Sequence, residues 1–497
     1  MTVFPRPDPK AIAVRTGIHL RADPSRVFAR LFVPGQEDFG VTQSRTSAVL
    51  DRILSLSEEE VQRALHDVIL RFAERHDDLD LWLESHAHRV ATRLDSPTHF
   101  SDDRWKLIGA YFTHEFSVEG AALTNPSVVR HPDQEGVPDG SLRFVMSVRG
   151  IGEGHRSSIG FRTGVIDEFG NVSVDSPGND LDVGLHSEGR LRHIAFLGLL
   201  EMLGDFGENA RYVLQHLDGV FSRSDLEEQI NRLLHDRETY RNADTTAQHL
   251  RAIADRAYSV SFSVDSLVSE RVLWPHAPAE WRGMEDARFV EFDDADLGRI
   301  YFATYTAFDG VDISQQLLST RDFLQFEITP VSGEAARGKG LALFPRKIDG
   351  RFAALSRADR ETNSITFSHH LEYWDDSVEV QLPMRHWEVV QLGNCGSPIE
   401  TAAGWLVLTH AVGPMRTYCI SAILLDRNDP LRVIGTLDTP LLVPSEFERD
   451  GYVPNVVYSC GALKHRHLLL LPFGIADQSI GVAVANLDDL LDRLVSK

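Results

Sequence analysis

Three charged residues lie within four positions of one another in the segment from Arg282 to Val290, directly before an apolar strand-like run. They are Glu285, Asp286 and Arg288. Charge clusters of this kind are usually solvated turns, so the residues alone leave open a turn or a functional site. The segment stands at the head of a repeated unit, and that position favours a functional site.

Cations recur at the ends or heads of other strand-like runs. They are Arg149, Lys339, Arg357 and His410, with Tyr418 shortly after the last. Taken one at a time, the arginines could be surface charges, the lysine a loop residue and the histidine a core residue with satisfied hydrogen bonds. Their recurrence at equivalent places, against a strongly acidic background, predicts an anion-binding site.

The elements that would position these residues form a repeat. Five apolar runs each end in a polar residue: Arg143 to Arg149, Arg299 to Tyr305, Arg351 to Arg357, Trp405 to His410 and Leu468 to Asp477. A turn-flanked segment with a polar head precedes each run: Asn125-Pro126-Ser127, Glu285 to Arg288, Lys339-Gly340-Leu341, Gly396-Ser397-Pro398 and Pro454-Asn455-Val456. The spacing of the last four units is close to that of propeller blades, and it predicts an all-β, five-bladed β-propeller whose inner strands bring the polar residues together.

Helical patterns interrupt this repeat. Capping boxes at Ser57 with Glu60 and at Ser224 with Glu227 each precede apolar residues at helical spacing. We therefore expect five parts, with the helical insertion between blades one and two: an N-terminal helical region (1–98), blade one (99–190), a helical insertion (191–257), blades two to five (258–486) and a C-terminal helix (487–497).

Composition excludes several classes of protein. The 497 residues carry a net charge of -23, which disfavours nucleic acid or an anionic membrane as the main partner. We find no signal peptide and no membrane-spanning stretch, so a cytoplasmic protein is expected. Cys395, Cys419 and Cys460 lack the spacing of zinc ligands and are expected to be buried free thiols.

The segment around Asp286 resembles the Glu-Asp-Pro-Arg signature of glycoside hydrolase family 130, which comprises mannoside phosphorylases and mannosidases. Further segments resemble the blade motifs of that family in the same order: Asn125 to Ser127, Thr304 to Gly310, Leu343 to Pro345, Gly404 to Leu406, Leu424 to Asp426 and Pro454 to Val457. The resemblance covers roughly residues 121–485 apart from the helical insertion. It implies a five-bladed propeller, in agreement with the repeat.

The resemblance also implies roles for single residues. Asp286 matches the general acid, and the anion-site residues Arg149, Lys339, Arg357, His410 and Tyr418 match the phosphate-binding set. Asn125, Ser127, Glu285, Arg288 and Asp477 are then sugar contacts or groups that support them, although Asn125 could instead serve only the turn with Pro126. A phosphorylase needs cations rather than a carboxylate base, because phosphate is already a nucleophile.

The sequence departs from the family pattern at three places. Ala287 replaces the proline of the signature, Tyr452 stands where an aspartate is expected, and the run Ser368 to Leu371 is less acidic than its counterpart. The last two changes leave the acceptor open. His369 and His370 could extend the cationic rim or face solvent.

Together these features predict an inverting phosphorylase that acts on a β-mannoside and inorganic phosphate, with no metal or organic cofactor. The alternatives are an inverting β-mannosidase, in which a second carboxylate activates water, and a sugar-binding propeller without catalysis. The expected partners are a mannooligosaccharide and phosphate, with neither nucleic acid nor membrane. Because relatives are often oligomeric, a homo-oligomer is a further possibility.

Overall fold

A computed structural model describes residues 12–34, 43–76, 78–91, 100–178, 180–236 and 241–495. The chain divides into two compact units. The small unit comprises Asp23–Gly120 and Gly178–Leu181, and the large unit comprises Met1–Ala22, Ala121–Pro177 and Asp182–Lys497. The expected boundary between residues 98 and 99 lies outside the described residues.

The described part of the chain contains nine α-helices. Their bounds are α1 (Gln43–Leu54), α2 (Glu58–Phe72), α3 (Leu79–Ala91), α4 (Asp102–Tyr111), α5 (His193–Met202), α6 (Glu208–Leu214), α7 (Arg223–Asp236), α8 (Ala243–Ala254) and α9 (Leu487–Val495). None of these helices is both long and apolar enough to cross a membrane.

Strands make up most of the remaining regular structure. Their bounds are β1 (Ala13–Arg21), β2 (Val27–Leu31), β3 (Thr113–Ser117), β4 (Ala122–Arg130), β5 (Leu142–Ile151), β6 (Ser157–Ile166), β7 (Val172–Val174), β8 (Leu185–Glu188), β9 (Leu191–Arg192), β10 (Val220–Phe221), β11 (Tyr258–Ser261), β12 (Val272–Leu273), β13 (Gly283–Asp294), β14 (Gly298–Phe308), β15 (Ile313–Thr320), β16 (Gln325–Pro330), β17 (Ala342–Leu343), β18 (Phe352–Ser356), β19 (Asn363–Ser368), β20 (Ser377–Gln381), β21 (Gln391–Asn394), β22 (Ile399–Glu400), β23 (Trp405–Val412), β24 (Tyr418–Leu425), β25 (Val433–Thr436), β26 (Val457–Tyr458), β27 (Leu463–His465), β28 (Leu468–Ile475) and β29 (Ser479–Asn486). The fold is mostly β with additional helices.

The small unit packs α1, α3 and α4 around a core of apolar side chains, beside the antiparallel pair β2 and β3. The capping box at the start of α2 is confirmed, since Ser57 Oγ accepts from Glu60 N and the Glu60 carboxylate accepts from Ser57 N. The helical region is not confined to residues 1–98, because α4 lies within the range expected for blade one. It is also not purely helical: β1 pairs with β29 near the other end of the chain, a contact that no local pattern reveals.

The large unit contains five antiparallel modules, each built from a head segment and the apolar run that follows it. Module 1 is β4–β7, module 2 is β13–β16, module 3 is β17–β20, module 4 is β21–β25, and module 5 is β26–β29 completed by β1. In every module the strand at the head pairs antiparallel with the strand of the run. Modules 1 and 2 share one sheet through a single parallel pairing of Gly283 with Ser157.

Buried apolar clusters lie between successive modules. Phe161 of module 1 packs with Phe289 of module 2, Phe292 of module 2 with Phe352 of module 3, and Phe344 of module 3 with Trp405 of module 4. A further cluster joins modules 4 and 5, and another joins modules 5 and 1. Each module therefore buries both of its faces only by contact with two others.

Helices α5–α8 lie between modules 1 and 2 and enclose their own apolar core. The capping box expected at Ser224 with Glu227 is wrong. Ser222 and Asp225 form the reciprocal hydrogen bonds two residues earlier, with Ser222 N and Oγ donating to Asp225 and Asp225 N donating to Ser222 Oγ. The aspartate serves as well as a glutamate because its carboxylate reaches back to the same backbone N–H.

Adjacent leucines on β28 test whether modules 5 and 1 pack together in solution. Leu470 faces the cluster shared with module 1, Leu471 faces the cluster shared with module 4, and both side chains are fully buried. We expect Leu470→Ala and Leu471→Ala each to lower the free energy of unfolding by about 2–5 kcal/mol, measured by chemical denaturation. If Leu470→Ala cost little while Leu471→Ala cost this amount, the packing of module 5 on module 1 would be refuted.

Candidate active site

The head segments of all five modules contain one residue with a left-handed backbone conformation. These residues are Asn125 (φ 49°), Asp286 (φ 57°), Gly340 (φ 98°), Gly396 (φ 99°) and Asn455 (φ 63°). Asn, Asp and Gly are the residue types that adopt this conformation most readily. The repeat in the sequence therefore reflects a repeated turn of the backbone.

In modules 1 and 2 this turn is a β-bulge. The register between β13 and β14 advances by three residues from Glu285 to Arg288 but by only two on the partner strand. The same irregularity separates Thr124 from Ser127 on β4. In a regular strand Glu285 and Asp286 would point to opposite faces, whereas the extra residue lets both approach one partner.

That partner is Arg149, near the end of β5. Its Nη2 donates to Glu285 Oε1 at 2.6 Å, and its Nη1 lies 3.6 Å from Asp286 Oδ1. Lys339 Nζ donates to the second oxygen of Glu285, also at 2.6 Å. Two of the cations that the sequence predicts for an anion site thus converge on one carboxylate.

Asp286 accepts a hydrogen bond from Asn125 Nδ2 at 2.5 Å. The Asn125 side-chain oxygen in turn accepts from Thr124 Oγ1 at 2.9 Å, which fixes the orientation of the amide. Burial by itself would raise the pKa of Asp286. The nearby cations and the amide outweigh burial and hold this pKa below its usual value; the cations are Arg149, Arg288 and Lys339.

Arg288 and Ser127 lie behind this pair rather than at an open surface. Both are almost completely buried. Arg288 donates to the backbone oxygen of Asp286 at 2.9 Å and to the Tyr458 hydroxyl at 2.7 Å. Ser127 Oγ accepts from Phe289 N at 3.1 Å, which ties β4 to β13. These contacts fit residues that hold the site in place.

His410 and Arg357 form a second pair. Arg357 Nη1 lies 3.4 Å from His410 Nε2, and His410 Nδ1 lies 3.0 Å from the backbone oxygen of Asn394. Because a guanidinium only donates, Nε2 accepts and Nδ1 carries the proton. Burial, with the charge of Arg357, lowers the pKa of His410 to about 3. His410 is therefore a neutral acceptor that orients Arg357, and its expected part in binding phosphate stays a prediction.

Tyr418 and Asp477 complete the set of residues singled out in the sequence. The Tyr418 ring stacks with that of His410 at a centroid distance of 6.3 Å, and its hydroxyl accepts from Gln391 Nε2 at 3.3 Å. Burial and the charge of Asp286 raise the pKa of Asp477, while Arg149 and Arg416 oppose this. Asp477 therefore shares the electrostatic environment of Asp286.

Two residues of this network escaped the sequence analysis. Asn394 is buried, donates to Gly340 O at 2.6 Å and provides the carbonyl that orients His410. Tyr458 accepts from Arg288, and its ring lies 5.0 Å from that of His410. Asn394 stands two positions before the left-handed Gly396, and this spacing from a head segment is the signal that could have identified it.

The remaining sequence features have plain structural explanations. The glycine-rich run Gly150 to Gly154 belongs to the hairpin between β5 and β6. His369 and His370 are exposed, while Ala287 is buried in the core shared by modules 1 and 2. The three cysteines are buried and free, which confirms the prediction.

The site places the adjacent carboxylates of Glu285 and Asp286 beside three cations. These cations are Arg149, Arg288 and Lys339. Arg149 and Lys339 already bind an anionic group in a bidentate manner through Glu285, so they can hold the oxygens of another anion. Asp286 is buried, oriented by an amide and close to these cations. A carboxyl group so placed can exchange a proton with a bound ligand.

Comparison with known proteins identifies a family and several relatives. A family model described as beta-1,4-mannooligosaccharide phosphorylase matches residues 239–496. A 1,2-beta-oligomannan phosphorylase from Thermoanaerobacter sp. (strain X514) is 34% identical over 216 residues, which cover 42% of this chain and 71% of the relative. A beta-1,2-mannobiose phosphorylase from the same organism is 31% identical over 261 residues, or 49% of this chain and 80% of the relative.

Among solved structures, the beta-1,2-mannobiose phosphorylase from Listeria innocua in complex with beta-1,2-mannobiose aligns with a TM-score of 0.45 at 20% identity, covering 77% of this chain and 94% of that chain. The family model spans more than half of the sequence and includes the Asp286 segment. The chain therefore belongs to glycoside hydrolase family 130.

Proposed function

We propose that this protein is an inverting phosphorylase that cleaves a β-mannoside with inorganic phosphate and releases α-mannose 1-phosphate and a shortened acceptor. The observation that carries the proposal is the convergence of Arg149 and Lys339 beside Asp286, in a protein whose net charge is -23. A local cluster of cations against an acidic background favours an anionic co-substrate over water as the nucleophile.

In this reaction Asp286 donates its proton to the glycosidic oxygen as the bond from that oxygen to the anomeric carbon breaks. A phosphate oxygen attacks the anomeric carbon from the opposite face, so the configuration inverts. The electron pair of the broken bond stays on the leaving oxygen, which becomes a hydroxyl of the acceptor. The reaction needs no metal or organic cofactor, because phosphate is itself the nucleophile.

Phosphate would bind to Arg149, Lys339 and Arg357. In the structure Glu285 occupies the first two. A dianion competes well for these groups because it offers more oxygens and more charge than one carboxylate. Glu285, once released, can accept hydrogen bonds from sugar hydroxyls, as can Asn125 and Asp477.

The lowered pKa of Asp286 has a direct consequence for this mechanism. A general acid must carry a proton, yet the cations favour the ionised form of Asp286. Bound phosphate adds negative charge next to the same cations and so raises the pKa of Asp286 towards protonation. Phosphate thus prepares the acid as well as attacking the sugar, and without phosphate the acid is mostly ionised at neutral pH.

We also propose that the five modules form a five-bladed propeller. Hydrogen bonds link the head regions of successive modules in cyclic order: Phe289 N to Ser127 Oγ, Thr304 Oγ1 to Leu341 O, Asn394 Nδ2 to Gly340 O, Tyr418 N to Asn455 O, and Cys460 N to Pro126 O. The apolar clusters follow the same order. Both sets support a ring in which the left-handed head residues surround a common centre.

The proposal also concerns the linkage in the substrate, the location of the protein and its oligomeric state. Two relatives are named for β-1,2-linked substrates and the family model for β-1,4-linked ones. We take β-1,2-mannooligosaccharides as the first substrate to test. A cytoplasmic location and a homo-oligomeric state stay predictions.

The reaction itself is tested by incubating the protein with β-1,2- and β-1,4-mannooligosaccharides, with and without phosphate. We expect α-mannose 1-phosphate to form only when phosphate is present, detected by ³¹P NMR and anion-exchange chromatography. Free mannose released at the same rate without phosphate would establish the mannosidase alternative instead. Sugar binding without turnover would support the non-catalytic alternative.

The assignment of the anion site is tested by removing Lys339. We expect Lys339→Ala to raise the KM for phosphate at least tenfold, because one of the three cations proposed to bind phosphate is lost. The KM for the oligosaccharide should change by less than about threefold. Arg337→Ala is the matched control. Arg337 lies two residues before Lys339 and forms an exposed ion pair with Glu334, so this substitution also removes one positive charge. Equal effects of both substitutions would argue against a specific phosphate contact.

The coupling between anion and acid is tested with sulfate, a dianion that does not itself titrate near pH 5–6. Because the anion raises the pKa of Asp286, binding should be accompanied by proton uptake. Calorimetry in buffers of different ionisation enthalpy measures this uptake. Asp286→Asn should abolish the uptake and lower kcat by at least about 10²-fold while leaving sulfate binding and the fold intact. Proton uptake unchanged in Asp286→Asn would assign the proton to another group.

A further inference from the structure

An aromatic pair lies on exposed loops next to the candidate active site and has no part in the reaction described above. Tyr452 is 63% exposed, and its ring centroid lies 5.6 Å from that of the exposed His155, with the planes inclined by 31°. The two rings come from different modules. Tyr452 precedes the head segment of module 5, and His155 lies in the hairpin between β5 and β6 of module 1.

The backbone holds Tyr452 close to Asp477. Val453 N donates to Ala476 O at 2.8 Å, and Ala476 N donates to Val456 O at 2.8 Å. Gly451 approaches so closely that a Cβ there would lie 2.5 Å from Ala476 Cβ. The loop that carries the ring is therefore fixed against the residue that directly precedes Asp477.

His155 is placed by the same hairpin that follows Arg149. It has a left-handed backbone conformation, with φ 56°, and the hairpin is closed by Gly152 N donating to Arg156 O at 3.0 Å. The hairpin thus carries Arg149 at its base and His155 at its tip. The aromatic pair is connected to the candidate site on both sides, through Asp477 and through Arg149.

The residues of the candidate site and the aromatic pair differ in their exposure to solvent. Asp286, Arg288 and His410 are each less than a tenth exposed, which suits the sugar being transferred and the phosphate. The aromatic pair is exposed, and a substrate longer than the transferred sugar would extend from the buried residues towards solvent. Exposed aromatic rings beside a polar pocket are typical of ligand contacts, since their faces pack against apolar C–H groups and their polar atoms bind hydroxyls.

We infer that Tyr452 and His155 form a platform that binds the acceptor sugar of the mannooligosaccharide. This inference rests on the proposed function. The ligand is a neutral pyranose unit on the leaving-group side of the bond that breaks, stacked on the Tyr452 ring with the phenol and imidazole available to its hydroxyls. The platform selects the acceptor and leaves phosphate binding and proton transfer to the buried residues.

The test separates acceptor binding from catalysis. For Tyr452→Ala we expect at least a tenfold rise in the KM for β-1,2-mannooligosaccharides in phosphorolysis, with the KM for phosphate changed by less than twofold. In the reverse reaction the KM for the acceptor should rise to the same extent and that for α-mannose 1-phosphate should not. Tyr452→Phe, which keeps the ring, should stay within about threefold of the wild type.

Val311→Ala is the matched control, because Val311 is 88% exposed on the hairpin after β14 and is assigned no role. A Tyr452→Ala protein with unchanged acceptor KM, or with an equal rise in both KM values, would overturn the inference.

If the wild type shows no phosphorolysis, calorimetric titration with β-1,2-mannotriose tests the platform independently of the proposed reaction. Binding that Tyr452→Ala weakens at least tenfold supports the platform while the proposed reaction fails. Binding that Tyr452→Ala leaves unchanged, or no binding by the wild type, overturns the platform as well.

Discussion

The left-handed backbone at the head of each module is the constraint on which the site depends. In modules 1 and 2 it takes the form of a bulge, and the extra residue brings side chains that would alternate in a regular strand to the same side. Glu285 and Asp286 can therefore share Arg149, and Asn125 can reach Asp286 from the neighbouring module. In a regular strand Glu285 and Asp286 would point to opposite faces, and the two could not both approach Arg149.

Burial and neighbouring charges set the pKa values of Asp286, Asp477 and His410. Burial raises the pKa of Asp477 and would raise that of Asp286, but the cations near Asp286 reverse the effect. The same burial removes the charge from His410, so that the positive field comes from arginine and lysine alone. An acidic protein can hold an anion in this way because the field at a partly buried site is set by its neighbours rather than by the net charge.

Several elements could be predicted from the sequence, and the errors have physical causes. The five strand runs and the capping box of α2 depend on local periodicity and short hydrogen bonds, and they were predicted correctly. Strand β1 was placed in a helical region because its partner, β29, lies more than 450 residues away. The cap of α7 was misplaced because two nearby serines satisfy similar patterns and only the backbone geometry distinguishes them.

The sequence by itself determined the repeat, the clustering of charge at Asp286 and the family, because each of these is a matter of residue types at fixed spacing. Tertiary structure decided which charges meet. Arg149 and Lys339 lie 136 and 54 residues from Glu285, and their convergence follows from the packing of three modules. The neutral state of His410 and the supporting positions of Arg288 and Ser127 were decided in the same way, because burial and hydrogen-bond partners exist only once the chain has folded.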